Sequence, residues 1–522
     1  MIRNVIIVGG GSSGWMTAAA FERMLPDYNV TLIESPNVPT IGVGESTLGH
    51  INFFMRLLGI EDKEWMQECD ATYKVGIRFT NFYKNDGTYW DYPFVEPSDE
   101  SLPAGLQTFW YLRDAYPEKY GNPNTFARLV NGNTLLMEEN KLDSEGRWGS
   151  FGKDYSYHMD SIKFGQWLKN NVCKNIKHVS ADVLDFTESD RGIETLKTSA
   201  GDFTADLFID CTGFKSLLLE EYMCVKHHSY KDILPNNKAT VCRIPHWGDD
   251  TGEVKNFTNG YALGNGWAWS VPLWNRTGAG YVWSDLYQDQ EGAEKEFREH
   301  IEEVYPHYMP PELKTIDIKN GKHESAWYKN VVAIGLSYGF LEPLESTGLL
   351  TTHENIIRLI GTLENREGVI GSIEKDLFNE AASREMEGFS DFIAWHYAFS
   401  MRRDTKYWRH VTEDIDYHRD HTNMPHPEDN PFRDLSVCKY KTYDFPEQFA
   451  GDLYVLAGNN YSPLRSIGMK HKTFKYGEAP VEEWDKVVDK AQAEALEYIN
   501  GCKSSWQYLL DNIYNVQEET TN

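Results

Sequence analysis

Three glycines and a distant glutamate give the first chemical signal in this 522-residue chain. In "NVIIVGGGSSGWMTAAAF", Gly9, Gly11 and Gly14 have GxGxxG spacing, and Glu34 lies twenty residues beyond Gly14. Each position answers a physical demand of a dinucleotide: Gly9 a tight turn, Gly11 close approach of backbone to a pyrophosphate, Gly14 close packing of helix on strand. A carboxylate at Glu34 accepts from ribose hydroxyls and repels a ribose phosphate, which disfavours NADP and leaves FAD or NAD.

The elements that must position these residues follow from hydrophobic pattern. Residues 4–8 and 29–35 are short apolar runs, and residues 13–25 have apolar positions at helical spacing, giving strand, turn, helix, strand. The chain returns to strand-like runs at "ADLFIDCTGF" (205–214) and at the start of "NVVAIGLSYGFLEPLESTGLLTTHENIIRLIGTL" (330–363). Such returns suggest a discontinuous domain around an extended cofactor and favour FAD. A helix beginning near Ser346 would point its N-terminal amides at the flavin pyrimidine ring.

Between these returns, residues 76–130 are rich in aromatic and loop residues, and 240–290 read as several strands, compatible with an antiparallel sheet roofing a cavity. Within "GNGWAWSVPLW", a period of two places Trp267 and Trp269 on one face, and Pro272 ends regular pairing. "ATYKVGIRF" also alternates like a strand, with Lys74, Gly76 and Arg78 on one face and Tyr73, Val75, Ile77 and Phe79 on the other. From about residue 370 the pattern is helical, crossing an irregular stretch at 411–434 and ending in an amphipathic helix pair at 481–514.

Composition narrows the function classes. A net charge of -28 argues against nucleic acid and an anionic membrane surface as partners. Seven scattered Cys without a CxxC pair, and 16 His without an HExxH group, give no metal site and suit reduced thiols in a cytoplasmic protein. No apolar run is long enough to span a bilayer, and the glycine-interrupted N-terminus reads as folded structure rather than a signal peptide.

Four local patterns, in order, resemble the flavin-dependent halogenases typified by tryptophan halogenases: "GGGSSGWMTAAAF" with "IGVGESTLGHI", "ATYKVGIRFTNF", "GWAWSVPL" and "FLEPLESTG". The third departs from the WxWxIP signature by Val271 in place of Ile, and the fourth satisfies FxxPxxSxG at Phe340, Pro343, Ser346 and Gly348. "YSYHMD", "LFIDCTGF" and "HYAFSMRRDTKYW" extend the likeness over most of residues 1–410.

The resemblance implies an α/β protein with an FAD-binding dinucleotide (glutathione-reductase-like) fold, an inserted antiparallel substrate sheet and a C-terminal helical lobe. Residues 1–365 are expected to form the discontinuous FAD domain, with substrate-side insertions at about 76–150 and 220–325, and 366–522 the lobe that completes the substrate pocket. It implies that FADH2 from a separate flavin reductase, oxygen and halide yield hypohalous acid. This oxidant travels to Lys74, which either polarises it by hydrogen bond or forms a haloamine, beside Glu345 as proton acceptor. The implied cofactor-binding set is Gly9, Gly11, Ser13, Gly14, Glu34, Gly42, Val43, Gly44, Asp210, Gly335, Ser346 and Leu350, with Thr347 and Gly348 as the halide site.

Trp267 and Trp269 would then partition the flavin and substrate compartments, and Tyr92 and Phe94 would line the substrate pocket, Tyr92 standing where tryptophan-specific relatives have a histidine. His158 and His353 are expected to be structural. In "YKTYDFPEQFAGDLYVLAGNNYSP" the paired tyrosines and acid that hold an amino acid in tryptophan halogenases are not found, so the expected substrate is a phenol, indole or other electron-rich arene rather than free tryptophan. The competing readings are a flavin-dependent aromatic monooxygenase, a non-catalytic FAD-binding protein and, third, an NAD dehydrogenase. Halide, physiological substrate and oligomeric state, including homo-oligomerisation, are left open.

Overall fold

The apolar runs at 4–8, 29–34, 207–210 and 331–333 meet in one sheet. In the computed structural model, which describes residues 1–38, 42, 44–95, 101–102, 108–246, 254–306, 308, 312–417, 446–460 and 481–514, its strand order is Trp327–Tyr328, Val331–Ala333, Leu207–Asp210, Asn4–Val8, Asn29–Glu34 and Lys177–Ser180. All neighbours are parallel except the first pair. The central strands are Val, Ile, Leu and Phe because helices cover a parallel sheet on both faces and leave no wet side. Helix Ser12–Met24 follows the first strand after the Gly-rich turn, as the pattern predicts.

The second layer is a seven-stranded sheet ordered Lys314–Asp317, Lys238–Pro245, Arg276–Trp283, Gly266–Pro272, Phe257–Ala262, Gly76–Thr80 and Tyr89–Pro93. The expected antiparallel roof from residues 240–290 is its centre. The aromatic segment 76–93 extends it through a parallel pairing of Phe257–Ala262 with Gly76–Thr80. Trp267 and Trp269 do share a face, their ring centroids 6.0 Å apart. The opposite face, with Ala268, Ala279, Tyr281 and Trp283, packs on helix Gln290–Val304.

One expectation fails here. "ATYKVGIRF" is not a single strand: Thr72–Lys74 pairs with Ser156–Met159, which also pairs with Glu45–Ser46, and Gly76–Thr80 belongs to the large sheet. Val75 is the crossing point, its N–H donating to Asn256 O at 2.7 Å and its carbonyl accepting from Phe94 N at 2.8 Å. Lys74 therefore does not continue the face of Gly76 and Arg78. Arg78 pairs with Asp91 instead, and Lys74 turns into the seam between the sheets.

Helix Thr347–Asn365 starts where the sequence places it, with Ser346 in the left-handed region at φ 59°. Helix Ser372–Ala398 and helix Pro446–Gly458 follow, and Val481–Asn500 begins the C-terminal pair. No helix among the described residues is long and apolar enough to cross a membrane.

Candidate active site

Lys74 and Glu345 come from elements 271 positions apart in sequence and are both enclosed, at 0% and 1% exposure. The Lys74 ammonium donates to the Thr47 carbonyl and to Ser346 Oγ, each at 3.0 Å, and its Nζ lies 5.0 Å from the centre of the Phe94 ring. Burial lowers its pKa to about 7, with Glu345 pulling upward. For Glu345, burial raises the pKa and His396 and Lys74 oppose the shift. His396 Nε2 approaches Glu345 Oε1 to 2.7 Å. The bond geometry is poor, so both carboxylate oxygens are unsatisfied by regular hydrogen bonds within the protein. A buried amine of near-neutral pKa beside a buried carboxylate can polarise an electrophile and accept a proton.

The sequence did not single out the residues that steady this pair. His396, inside "HYAFSMRRDTKYW", sits on the last turns of Ser372–Ala398, its ring stacked on Trp90 and tilted against Phe79. Its neighbour Tyr397 donates to Glu342 Oε2 at 3.0 Å, and that oxygen also accepts from Asn236 and from Trp267 Nε1. The helix thus holds both glutamates of "FLEPLESTG" and, through Glu342, one of the two indoles. Trp269 lies flat across Gly280, where any Cβ would collide with its ring.

Of the residues expected to line the substrate pocket, Phe94 is at Lys74 and Tyr92 packs edge-on to Phe94 and Phe392 and against Tyr454. Gly451 permits this: a Cβ there would stand 2.5 Å from Phe392 and 3.2 Å from Tyr92 Oη. His353 is buried and kept neutral, its pKa pushed down to about 3 by burial and His50, and it stacks on Phe54. No group of three metal-ligating side chains occurs among the described residues.

The glycine turn fits a dinucleotide. Gly9 takes φ +115° with Cys211 O against it, Gly14 packs onto Gly9 O, and a Cβ on Gly11 would meet nothing within 4 Å. Helix Ser12–Met24 has neither a side-chain cap nor an acid in its first turn, which leaves amides for a pyrophosphate. Glu34 lies against Gly10, with His178 Nε2 at 2.9 Å. Gly335, at φ +70°, approaches the Ser13 side chain, Gly44 takes φ +131° against Leu273, Gly42 lies against Ile162, and Leu350 is buried. Val43 falls outside the described residues, as do 418–445 and 461–480, with parts of the irregular stretch and of the "YKTYDFPEQFAGDLYVLAGNNYSP" segment.

Asp210, expected in the cofactor set, ends the strand Leu207–Asp210 and is fully buried. Its carboxylate accepts from Thr212 N, Thr212 Oγ1, Leu218 N and Leu219 N at 2.7–3.0 Å. These donors fill both oxygens and assign it to the turn after its strand. At the positions expected to bind halide, helix Thr347–Asn365 has no side-chain cap and no acid in its first turn, and a Cβ on Gly348 would meet nothing within 4 Å.

Comparisons with known proteins give the family and the fold. The profile of the tryptophan halogenase family matches residues 4–425. The 7-chloro-L-tryptophan 6-halogenase KtzR of Kutzneria sp. (strain 744) is 36% identical over 430 residues, 78% of this chain and 81% of its own. The apo structure of VirX1 superposes with a TM-score of 0.88 at 39% identity, covering 98% of this chain and 100% of that one. The tryptophan 6-halogenase SttH of Streptomyces toxytricini does so at 0.82 and 28%, covering 97% and 99%. The chain belongs to the tryptophan halogenase family and is a flavin-dependent halogenase with that family's FAD-binding α/β fold.

Proposed function

We propose that this enzyme halogenates an electron-rich arene, a phenol or indole, at Lys74, with Glu345 as the proton acceptor. The observation that carries the reading is the convergence of the two buried groups: Lys74 Nζ hydrogen-bonds Ser346, the residue next to Glu345, and stands over Phe94 in an aromatic pocket. Gly9, Gly11, Ser13, Gly14, Glu34, Gly42, Gly44, Gly335, Ser346 and Leu350 would hold FAD. Bound FAD, reduced by a separate flavin reductase, supplies the two electrons with which oxygen and halide give hypohalous acid. Amides at Thr347 and Gly348 suit the halide.

Lys74, as the ammonium, donates to the oxygen of hypohalous acid. As the halogen–oxygen bond breaks and the carbon–halogen bond forms, that oxygen leaves as water with the lysine proton. Glu345 takes the ring proton and returns it to Lys74. Trp267 and Trp269 form the partition that keeps the arene from the flavin. Residues 1–365 supply the FAD domain with its substrate-side insertions, and 366–522 complete the pocket. The preference for an arene other than free tryptophan rests on the sequence pattern of residues 440–463 alone, where the paired tyrosines and acid of an amino-acid clamp are not recognised.

Purified protein with FAD, a flavin reductase, oxygen, bromide and a panel of arenes tests this reading. A brominated product identified by mass, abolished in Lys74→Ala and Glu345→Gln with flavin binding kept, is the expected result. Hydroxylated product without halogen would establish the monooxygenase reading, and bound flavin without turnover the binding protein.

A further inference from the structure

The Pro272 carbonyl can accept a hydrogen bond and cannot donate one. The Thr72 hydroxyl donates to it at 2.7 Å, so the Thr72 oxygen meets His158 Nδ1, 3.2 Å away, as an acceptor. His158 therefore carries its proton on Nδ1. Burial, helped by the Lys74 charge, pulls its pKa well below the usual histidine value and keeps the ring neutral. A neutral ring protonated at Nδ1 can only accept at Nε2, and Thr258 Oγ1, at 2.9 Å, must donate to it. Thr258 then accepts from Ser46 at 2.8 Å, Ser46 from Ser346 at 3.0 Å, and Ser346 from Lys74 Nζ at 3.0 Å. Every residue that contributes a side chain to this sequence of bonds is buried, so water does not rewrite the order.

We propose that Ser346, Ser46, Thr258 and His158 form a one-directional hydrogen-bond chain, anchored through Thr72 on the Pro272 carbonyl, that fixes Lys74 as a donor and leaves its third Nζ position for the oxidant. The proposal rests on the reading of Lys74 as the reactive amine. His158, Thr258 and Ser46 are positioning residues in it, and His158 gains a role beyond the structural one its sequence context suggests. With two Nζ protons committed to Thr47 O and Ser346 Oγ, the third position is an N–H in the ammonium and a lone pair in the amine. One side-chain pose thus serves either charge state. If the chain is cut, Ser346 is free to turn its hydroxyl and donate to the amine lone pair, which stabilises the neutral form and takes the lone pair away from the third position. The titratable groups facing Lys74 are Glu345 from the turn before the helix and His158, neutral, from its paired strand.

Thr258→Val removes the hydroxyl at nearly constant shape and tests the chain away from the amine. Protein labelled with 13C at lysine Cε reports the Lys74 titration directly, the signal being assigned by its loss in Lys74→Met. The expected result is a midpoint lower by about half to one pH unit, the size of one neutral hydrogen bond, and a matching downward move of the alkaline limb of halogenation. Ser46→Ala should do the same, and Thr258→Ser should restore both. A Thr258→Val titration that superposes on that of the parent protein, or moves upward, overturns the proposal. If Lys74→Met halogenates at the parent rate, the reading of Lys74 fails, and the titration still judges the chain separately.

Discussion

His396 Nε2 lies 2.7 Å from Glu345 Oε1 while the opposite ring nitrogen, Nδ1, contacts the Phe392 carbonyl at 3.1 Å. A carbonyl only accepts, so Nδ1 bears a proton, and the approach of Nε2 to a carboxylate oxygen requires one further proton between them. Either an imidazolium faces a carboxylate or a neutral ring faces a carboxylic acid. Only the first leaves Glu345 able to take a proton from an arene. Lys74 also favours the carboxylate, whereas Glu342 and Asp452 are the acidic groups nearby.

Replacing His396 with Phe should therefore leave Glu345 buried without its closest cation. Its pKa, already raised by burial, rises further, so more of it is protonated at neutral pH and the acidic limb of the pH–rate profile moves to higher pH. A loss of at least about tenfold in kcat at pH 7 is expected, part of the roughly 100- to 10,000-fold contribution of a general base, with FAD affinity unchanged. His396→Gln, which keeps a donor near the carboxylate, should recover part of the rate. An unmoved acidic limb in His396→Phe would show that the ring only fills space.

The Lys74 pKa of about 7 sets the opposite limb. Above that pH the ammonium is lost and with it the donor to the oxidant's oxygen, so the rate should fall with a midpoint near 7. Glu345→Gln removes the group that raises the Lys74 pKa and should shift the 13Cε midpoint downward. Bromination rates of one arene across pH 5.5–9 (an assay range of roughly three to four units around an ordinary titration), at saturating reductase, check the sign. A rate that climbs through pH 7 and stays high would favour the haloamine route from neutral lysine.

Local pattern carried the layout where neighbours in sequence are neighbours in space. The first strand, turn and helix, the shared face of Trp267 and Trp269, and the helix at Thr347 all follow from spacing within a dozen residues. The break at Val75 did not, because alternation continues smoothly across it and only the competing partners, Ser156–Met159 and Phe257–Ala262, reveal the change of sheet. The residues around Lys74 and Glu345 were hidden for the same reason. His396 reaches Glu345 from a helix about fifty positions later, and Thr47 acts through its backbone carbonyl, which residue type does not encode. Asp210 was legible as a residue at a strand end. The four donors that occupy it arise from a turn whose bonding no local motif announced.

The indole partition predicts a change in coupling rather than in arene affinity. Trp269→Ala removes a ring that packs across Gly280 and beside Trp267, at a stability cost of about 3–5 kcal/mol, as for other buried aromatic deletions. Gly280→Ala pushes the same ring away without deleting it. Both variants should release more hydrogen peroxide per halogenated product than the parent enzyme, with the arene KM changed by less than about threefold, under 1 kcal/mol. Peroxide and product quantified in one reaction decide the matter. Coupling equal to that of the parent in both would remove the barrier role.

Two glycines with opposite surroundings test the proposed cofactor and halide sites separately. A Cβ at Gly14 runs into the Gly9 carbonyl, so Gly14→Ala forces the first helix off its strand and should abolish FAD binding. At Gly348 a Cβ meets nothing within 4 Å, and the residue is the second of helix Thr347–Asn365. Gly348→Ala should therefore fold as well as the parent or better, by up to about 1 kcal/mol from helix propensity. The added methyl group then projects into open space beside the amides proposed for the halide. The halide KM should rise by about tenfold or more, equivalent to about 1.4 kcal/mol, and more steeply for iodide than for chloride because the larger ion meets the methyl first. Flavin fluorescence quenching, thermal unfolding and a halide titration on one preparation distinguish the outcomes. A Gly348→Ala enzyme with parental halide KM for all three ions would move the halide away from this helix start.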